Sequence, residues 1–272
     1  MALFTPMAYW AGAASQPLAP TDIPNLAGWY DASDTSSYYL SGTTIIGIYS
    51  QGSYGDILVV QGGSNPTTGT TQNSLATLYF DGSCNFYNTA TDNLVSSTGT
   101  HFAVGVFYPQ NVDDSKDSVW SVDSTYDYAV SAAGSTTFLG EVDLGNGVGS
   151  SGVIGPFSST NRENSWIIVT VVFTKLPSTN AIWIFINGST GSNSSTSYLS
   201  NLSQSQRLRI MANRNGNKKL PGRFGELLLY SGECGTSSDN YEYRYQAEGY
   251  LAHKWGLTSV LPSNHPYKTT QP

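Results

Sequence analysis

The sequence predicts an all-β protein, an antiparallel jelly-roll β-sandwich closed by one C-terminal α-helix. Composition is the first reason, because only 11% of the 272 residues are charged, against about 25% in an average globular domain. Ser, Thr, Asn and Gly take their place and supply turns, while Val, Tyr and Trp favour strands. The second reason is a series of about a dozen short apolar segments between turn residues, with no internal repeat.

The clearest strand signal is Trp166–Phe173, a nearly continuous apolar segment typical of a central strand buried on both faces. Ala181–Ile186 predicts a strand that ends at the tight-turn signal Asn187-Gly188. The other predicted strands, in chain order, are Leu26–Asp34, Thr43–Tyr49, Asp56–Val60, Leu75–Asp81, His101–Tyr108, Ser118–Val122, Tyr126–Ala132, Thr136–Leu144, Val153–Phe157, Arg207–Ala212 and Arg223–Tyr230.

One helix is predicted over Asp239–Trp255. Asp239 and Glu242 have the spacing of a capping box, in which each side chain satisfies an amide at the helix start. Gly256 suits the left-handed position after the last turn, and prolines follow it. The spacing of its apolar residues predicts one buried face, made of Tyr243, Ala247, Tyr250, Leu251 and Trp255.

The end of the chain resembles the C-terminal part of LamG-like, concanavalin A-like lectin/glucanase domains. Their usual pattern is a glycine, a basic residue, a hydrophobic-Gly-Glu-hydrophobic strand ending in Tyr, a helix reading EGYLA-x-KWGL, and LP-x-x-HPY. In this sequence the pattern is carried by Gly222, Arg223, Phe224-Gly225-Glu226-Leu227, Tyr230, Glu248–Ala252, Lys254–Leu257, Leu261-Pro262 and His265–Tyr267.

Two earlier segments add to the resemblance. Leu26–Asp34 reads LAGWYDASD, similar to a W-x-DASD start, and Leu75–Asp81 with Gly82-Ser83 is similar to a hydrophobic-x-F-DGS strand. The resemblance implies a concanavalin A-like sandwich in which Ala181–Ile186 pairs with Trp166–Phe173. Function stays open, because this fold carries enzymes, lectins and structural modules. Domains with this pattern resemble ones found in viruses of marine bacteria, among other places.

An extended N-terminal arm is predicted over residues 1–25, ahead of one sandwich domain over residues 26–272. No Lys or Arg precedes Lys116, and Pro6 interrupts the apolar stretch, so we expect no secretory signal. The arm is expected to dock on a neighbouring subunit or on its own domain through Leu3, Phe4, Met7, Tyr9 and Trp10.

Charge argues against two classes of partner. The formal net charge is −7 and there is no basic run, whereas nucleic acids and anionic membranes require clustered Lys and Arg. No apolar run approaches the roughly 20 residues of a membrane-spanning helix.

The acidic strand Glu141-Val142-Asp143-Leu144 resembles part of the E-x-D-x-x-E strand of glycosidases with this fold. A retaining glycosidase needs a nucleophile and a general acid roughly 5–5.5 Å apart. Gly145, Asn146 and Gly147 stand where the further acid is expected. The sequence therefore disfavours a glycoside hydrolase, and we expect a protein that is not an enzyme.

Asp113, Asp114 and Asp117 lie in one polar loop and are candidate calcium ligands, since calcium prefers carboxylate and carbonyl oxygens. The loop lacks the spacing of a defined calcium site, so we expect no cofactor and keep calcium as the alternative. The three histidines lack metal-ligand spacing. His265 is expected to anchor the C-terminal tail by hydrogen bonds.

Aromatic side chains near loops are the candidates for glycan contacts, because rings stack on sugars. The candidates are Trp120, Tyr126 and Tyr128. Cys84 and Cys234 lie far apart in sequence; buried free thiols are the expectation and a disulfide is the alternative.

These observations lead to an ordered set of functional expectations. The first is a bacteriophage virion structural protein, an outer capsid decoration or cement protein that contacts the major capsid protein or other virion subunits. It would assemble in the host cytoplasm and could form a homo-oligomer. The alternative is a carbohydrate-binding adhesin module, of a tail or head fibre, that recognises a host-surface glycan.

Overall fold

A computed structural model provides the three-dimensional structure. It describes residues 17–53, 55–88, 101–111, 117–123, 127–132, 138–143, 153–157, 163–175, 180–189, 192–195, 207–213, 216, 219–231 and 239–272. Within these ranges the chain forms two large antiparallel sheets, one short hairpin and one α-helix. The predicted antiparallel jelly-roll sandwich with one C-terminal helix is confirmed.

The first sheet, sheet A, has seven strands in the described part of the chain, in the order β1-β18-β9-β14-β15-β16, with β7 also paired to β18. Its strands are β1 (Leu26–Asp31), β7 (Leu78–Phe80), β9 (His101–Pro109), β14 (Ile167–Lys175), β15 (Asn180–Ile186), β16 (Ser192–Ser195) and β18 (Gly222–Tyr230).

The second sheet, sheet B, has nine strands in the described ranges, in the order β13-β12-β11-β10-β17-β8-β4-β3-β2. Its strands are β2 (Tyr38–Ser41), β3 (Thr44–Tyr49), β4 (Ile57–Gly62), β8 (Cys84–Asn88), β10 (Asp117–Asp123), β11 (Asp127–Ala132), β12 (Phe138–Asp143), β13 (Val153–Phe157) and β17 (Arg207–Ile210). A separate hairpin joins β5 (Thr71–Gln72) and β6 (Leu75–Ala76).

Two apolar cores hold these layers together. The inner core lies between the sheets, and the outer core lies between sheet A and the helix. Because sheet B covers one face of β14 and the helix covers the other, this central strand is buried on both sides from Ile167 to Val172. This explains the continuous apolar run. The predicted pairing of β14 with β15 is also confirmed.

Helix α1 (Asp239–Lys254) packs on the outer face of sheet A, against β9 and β14. Ala247, Leu251 and Trp255 on its inner face are fully buried. Gly256 has a φ of 68°, and the Leu257 amide reaches back to the Ala252 carbonyl at 2.7 Å. This is the Schellman ending that the glycine predicted.

The sequence did not predict four of the observed strands, β2, β5, β8 and β16, of which β5 is only two residues long. β2 is an edge strand with mostly exposed residues, and β16 consists of the polar residues SNSS. β8 reads CNFYN, and asparagine is depleted in strands, although Asn85 and Asn88 are both buried here. The predicted strand Leu75–Asp81 is divided into β6 and β7.

Residues 17–25 of the predicted arm lie against the sandwich. They contain a 3-10 turn, Pro20–Asp22, whose Pro20 carbonyl accepts a hydrogen bond from the Tyr230 hydroxyl at 3.2 Å. Ile23 is buried in the outer core. The five apolar residues proposed to contact a partner, Leu3, Phe4, Met7, Tyr9 and Trp10, lie outside the described residues, so an arm over that part stays a prediction.

Candidate functional site

The outer face of sheet A carries a buried carboxylate beneath the helix. Glu226 of β18 is fully buried. Its Oε1 accepts from the Trp29 indole at 2.7 Å and from the Tyr250 hydroxyl at 3.1 Å, and its Oε2 accepts from the Trp255 indole at 2.8 Å. Tyr250 is on the helix and Trp255 directly follows it, so the carboxylate fixes the end of the helix to the sheet.

Lys254, the last residue of α1, supplies the cation for this carboxylate. Its Nζ lies 2.8 Å from Glu226 Oε2 and 2.6 Å from Asp31 Oδ2. Burial, with the nearby charge of Asp31, raises the pKa of Glu226, and Lys254 opposes that rise. Burial lowers the pKa of Lys254, but the two carboxylates outweigh this and leave it raised.

A second buried group lies about two to three turns earlier on the helix. The guanidinium of Arg244 lies 2.8 and 2.9 Å from the two oxygens of Glu248. The Thr170 hydroxyl donates to Glu248 at 2.7 Å, and His265 Nε2 lies 3.2 Å from it. His265 Nδ1 also accepts from the Tyr267 amide at 3.2 Å. His265 therefore ties the tail to the helix, as expected from the sequence.

We call these two groups the helix clasp: Asp31, Glu226, Lys254, Arg244, Glu248 and His265. The carboxylates of Glu226 and Glu248 are each held by several donors within the protein. A buried charge whose hydrogen-bonding positions are occupied within the protein contributes to the structure and has no free position for a ligand. The clasp is therefore a structural feature of the fold.

Beyond the C-terminal end of α1, the same face of sheet A carries a row of aromatic residues around one arginine. Register sets Tyr79 of β7 opposite Arg223 of β18, and Arg223 opposite Tyr108 of β9. The Arg223 Cζ lies 5.0 Å from the centroid of the Tyr108 ring. The Trp166 ring follows, 5.4 Å from Tyr108. We call Tyr79, Arg223, Tyr108 and Trp166 the aromatic shelf.

Strand alternation puts the aromatic shelf on the outer side of the sheet. The sequence neighbours of its four members belong to the inner core, and successive strand residues point to opposite faces; these neighbours are Leu78, Phe80, Phe107, Phe224 and Ile167. At the usual strand spacing of about 4.8 Å, four positions span roughly 14 Å. The shelf thus has the length of a short oligosaccharide.

The aromatic shelf is partly open to solvent. Tyr79 is 36% exposed, and the other three members are half-buried. Trp166 stacks on Trp255, which donates to Glu226 of the clasp, with ring centroids 6.2 Å apart. This contact marks the border between the shelf and the part of the sheet that the helix covers. A concave or flat surface that combines rings with a few polar groups is typical of small-molecule and glycan sites.

A smaller aromatic surface lies on sheet B. Tyr39 and Tyr49 are 41% and 43% exposed, and their rings meet edge to face at 5.8 Å. Further along the same sheet, Arg209 stacks on Tyr87, with Cζ 4.2 Å from the ring centroid, and bonds Gln61. The tyrosine pair thus offers two exposed rings that contact each other.

The glycan-contact prediction for Trp120 is wrong. Trp120 is 1% exposed, because its position on β10 faces the inner core beside Ile210 of β17. Tyr126 lies outside the described residues. Tyr128 is in register with Val122, and its side chain lies outside the described part, so its role stays a prediction.

Asp113 and Asp114 lie outside the described residues, and Asp117 is described only as the first backbone position of β10. Among the described residues no group of three or more His, Cys, Asp or Glu side chains is arranged to hold a metal ion. Calcium therefore stays an untested alternative. Cys84 is a buried free thiol whose pKa burial raises to about 12; Cys234 lies outside the described residues.

The acidic strand β12 pairs with β11, which brings a further acidic residue beside it. Asp143 is directly opposite Asp127 of β11, and Glu141 is opposite Ala129. The sequence argument against hydrolysis considered acids along one strand alone. The register adds an acidic position from the adjacent strand, so these residues are the ones to substitute in a test for hydrolysis.

Sequence reasoning missed all four shelf residues as a site. The signal was present in part, because Tyr79 and Arg223 alternate with core residues and so must face away from the inner core. The sequence pattern does not show how much of that face the helix covers. Which half of sheet A is covered depends on where α1 packs and ends.

No protein-family model and no curated protein matches the sequence. Domain 4 of AbnA, a GH43 extracellular arabinanase from Geobacillus stearothermophilus in complex with arabinotriose, matches in structure with a TM-score of 0.51 and 14% identity, over 80% of this chain and 98% of that chain. The binding domain of botulinum neurotoxin DC in complex with SialylT has a TM-score of 0.55 and 12% identity, over 83% and 51%.

A Trypanosoma rangeli sialidase, in complex with a difluoro-KDN, matches with a TM-score of 0.56 and 9% identity, over 85% of this chain and 33% of that chain. The chain thus spans about half of the toxin chain and a third of the sialidase chain. Such identities establish a shared fold, which is found in both hydrolases and binding domains. No helix in the described part of the chain is long and apolar enough to cross a membrane.

Proposed function

We propose that the protein is a non-catalytic glycan-binding module and that the glycan lies along the aromatic shelf. The observation that carries this proposal is the row of partly exposed rings on the part of sheet A that the helix leaves uncovered. Solved structures of the same fold include an arabinanase domain with arabinotriose and a toxin binding domain with SialylT, which supports the ligand class.

The aromatic shelf suits this role better than the tyrosine pair on sheet B. The shelf presents three rings and a guanidinium in one line, whereas the pair presents two rings alone. Sugars bind through ring stacking together with directed hydrogen bonds. Arg223 offers several N–H donors, whereas Tyr39 and Tyr49 each offer one hydroxyl donor.

The test is a glycan array, followed by titration calorimetry of any hit with two matched double variants. Tyr79→Ala/Tyr108→Ala removes rings from the shelf, and Tyr39→Ala/Tyr49→Ala removes rings from sheet B. We expect at least a tenfold loss of affinity, about 1.4 kcal/mol, for the shelf variant alone. A blank array, or an equal loss in the sheet B variant, contradicts the proposal.

The non-catalytic part of the proposal has its own test. The shelf consists of Tyr, Arg, Tyr and Trp, which do not provide the carboxyl pair that glycoside hydrolysis requires. We expect no release of reducing sugar from the array hits or from arabinan. Release that disappears in Asp143→Asn or Glu141→Gln would instead assign hydrolysis to sheet B.

The resemblance to domains of viruses of marine bacteria supports a second proposal, about where this module acts. We propose that it is displayed on a bacteriophage particle, as a capsid decoration or fibre protein, with residues 1–16 contacting the major capsid protein or another virion subunit. Deleting residues 1–16 leaves Ile23 and Pro20 to pack on the sandwich. The truncated protein should fold but no longer co-sediment with particles; retained co-sedimentation contradicts the proposal.

A further inference from the structure

We propose that the aromatic shelf selects an acidic glycan, one whose sugar carries a carboxylate or a sulfate, and that Arg223 binds this anionic group. This inference deepens the proposed function and rests on it. Arg223 lies between Tyr79 and Tyr108 in the row. An anion held there would therefore belong to a sugar stacked on one of these two flanking rings.

Arg223 has no anionic partner among the residues that the structure describes. The ion pairs in the described part of the chain involve Arg244, Lys254 and His265, and none of them includes Arg223. Acceptors are plentiful, since the chain has 19 Asp and Glu residues against 12 Lys and Arg. An arginine left without one at a partly open surface is available to an outside anion.

The placement of the Arg223 side chain supports the same assignment. Its Nε is buried without an acceptor, while the side chain as a whole is half-buried, so part of it reaches solvent. Stacking on Tyr108 at 5.0 Å restricts the guanidinium before any ligand arrives. Its two terminal nitrogens then present the parallel donors that match the oxygens of a carboxylate or sulfate.

The partly buried position of Arg223 also favours an anionic ligand. Arg223 is half-buried between two rings, so water screens its charge less than it screens a fully exposed arginine. A charge-assisted hydrogen bond at such a position contributes more than a neutral one. A neutral sugar would leave the guanidinium without an anion, so an acidic sugar should bind more tightly than its neutral counterpart.

The experiment compares matched acidic and neutral probes by titration calorimetry. The pairs are 3′-sialyllactose with lactose, 3′-sulfolactose with lactose, and trigalacturonate with its methyl ester. For the wild-type protein we expect at least one acidic member to bind about tenfold more tightly than its neutral partner. The pair that responds distinguishes carboxylate from sulfate. No acidic preference in any pair overturns the inference.

Variants separate recognition from packing. Arg223→Gln should remove the acidic preference, because it should lower acidic-probe affinity about tenfold more than neutral-probe affinity, and Arg223→Lys should keep part of that preference. Arg207→Gln is the matched control, because Arg207 also stacks on a tyrosine, Tyr87, but on sheet B. Equal loss of acidic and neutral binding in Arg223→Gln overturns the inference. Failure of every probe and a blank array instead defeats the proposed function.

Discussion

The two halves of the outer face of sheet A are built from similar residue types and differ in how their polar groups are satisfied. Under the helix, Glu226 is fully buried and bonded to donors from three side chains and a lysine. Beyond the end of the helix, Arg223 has aromatic neighbours and no carboxylate among the ion pairs of the described residues. Trp166 and Trp255 stack across the border.

This difference separates structure from recognition. A buried charge without a partner costs several kcal/mol, so the covered half must satisfy its charges internally. The uncovered half is under a weaker constraint, because its arginine is only half-buried. The residues that hold the fold together and those that contact a ligand are therefore neighbours on one face, and substitutions should distinguish them.

The largest effect is expected from Trp255→Ala. Trp255 is fully buried and donates its indole N–H to Glu226 at 2.8 Å. Its loss should lower the free energy of unfolding by about 3–5 kcal/mol, measured by urea denaturation. A decrease below about 1 kcal/mol would show that the helix clasp contributes little to the stability of the fold.

Lys254→Met should give the next largest effect and a characteristic pH dependence. It leaves Glu226 and Asp31 close together without their cation, so the loss should approach the lower end of about 3–5 kcal/mol at neutral pH. The folded pKa of Glu226 is already above the ordinary value of 4.5, and losing Lys254 raises it further. A carboxyl with a raised folded pKa favours folding when protonated, and this contribution is lost as pH rises.

The deficit of Lys254→Met relative to wild type should therefore shrink as the pH falls toward 4.5, the ordinary value for Glu226. Urea denaturation of both proteins at about pH 5 and about pH 7 measures it, across the range in which raised carboxyl pKa values are titrated. A deficit that is independent of pH would mean that the lysine acts through packing alone.

Thr170→Val tests a single hydrogen bond of the clasp. The Thr170 hydroxyl donates to Glu248 at 2.7 Å, and Arg244 and His265 still hold that carboxylate in the variant. We expect a loss of about 1 kcal/mol in the free energy of unfolding. An unchanged stability would indicate that the other donors compensate fully.

The smallest effect on stability is expected from Tyr79→Ala on the aromatic shelf. Tyr79 is 36% exposed, so the free energy of unfolding should change by less than about 1 kcal/mol. Glycan affinity should nevertheless fall. Tyr39→Ala, at 41% exposure, is the matched control, with similar stability and unchanged affinity. A large loss of stability in Tyr79→Ala would assign the shelf to the structural core.

The sequence predicted the central strand, the helix and its glycine ending, because period-2 and period-3.6 patterns report directly on burial. It did not predict Arg244 and Glu248 as buried residues, since each looks like an ordinary charged helix position until Thr170 and His265 are brought beside it. Trp120 was misassigned for the converse reason: an aromatic residue near a loop can face either side of a strand.

The position at which a glycan contacts sheet A is the most direct test of the aromatic shelf. Two-dimensional NMR of the ¹⁵N-labelled protein, titrated with 3′-sialyllactose, measures this through backbone amides and the arginine Nε–H. We predict shifts at Tyr79, Arg223 and Tyr108, with the amide of Glu248 in the helix clasp unchanged. Shifts confined to Tyr39 and Tyr49 on sheet B, or no shifts at saturating probe, would contradict the assignment of the aromatic shelf as the recognition site.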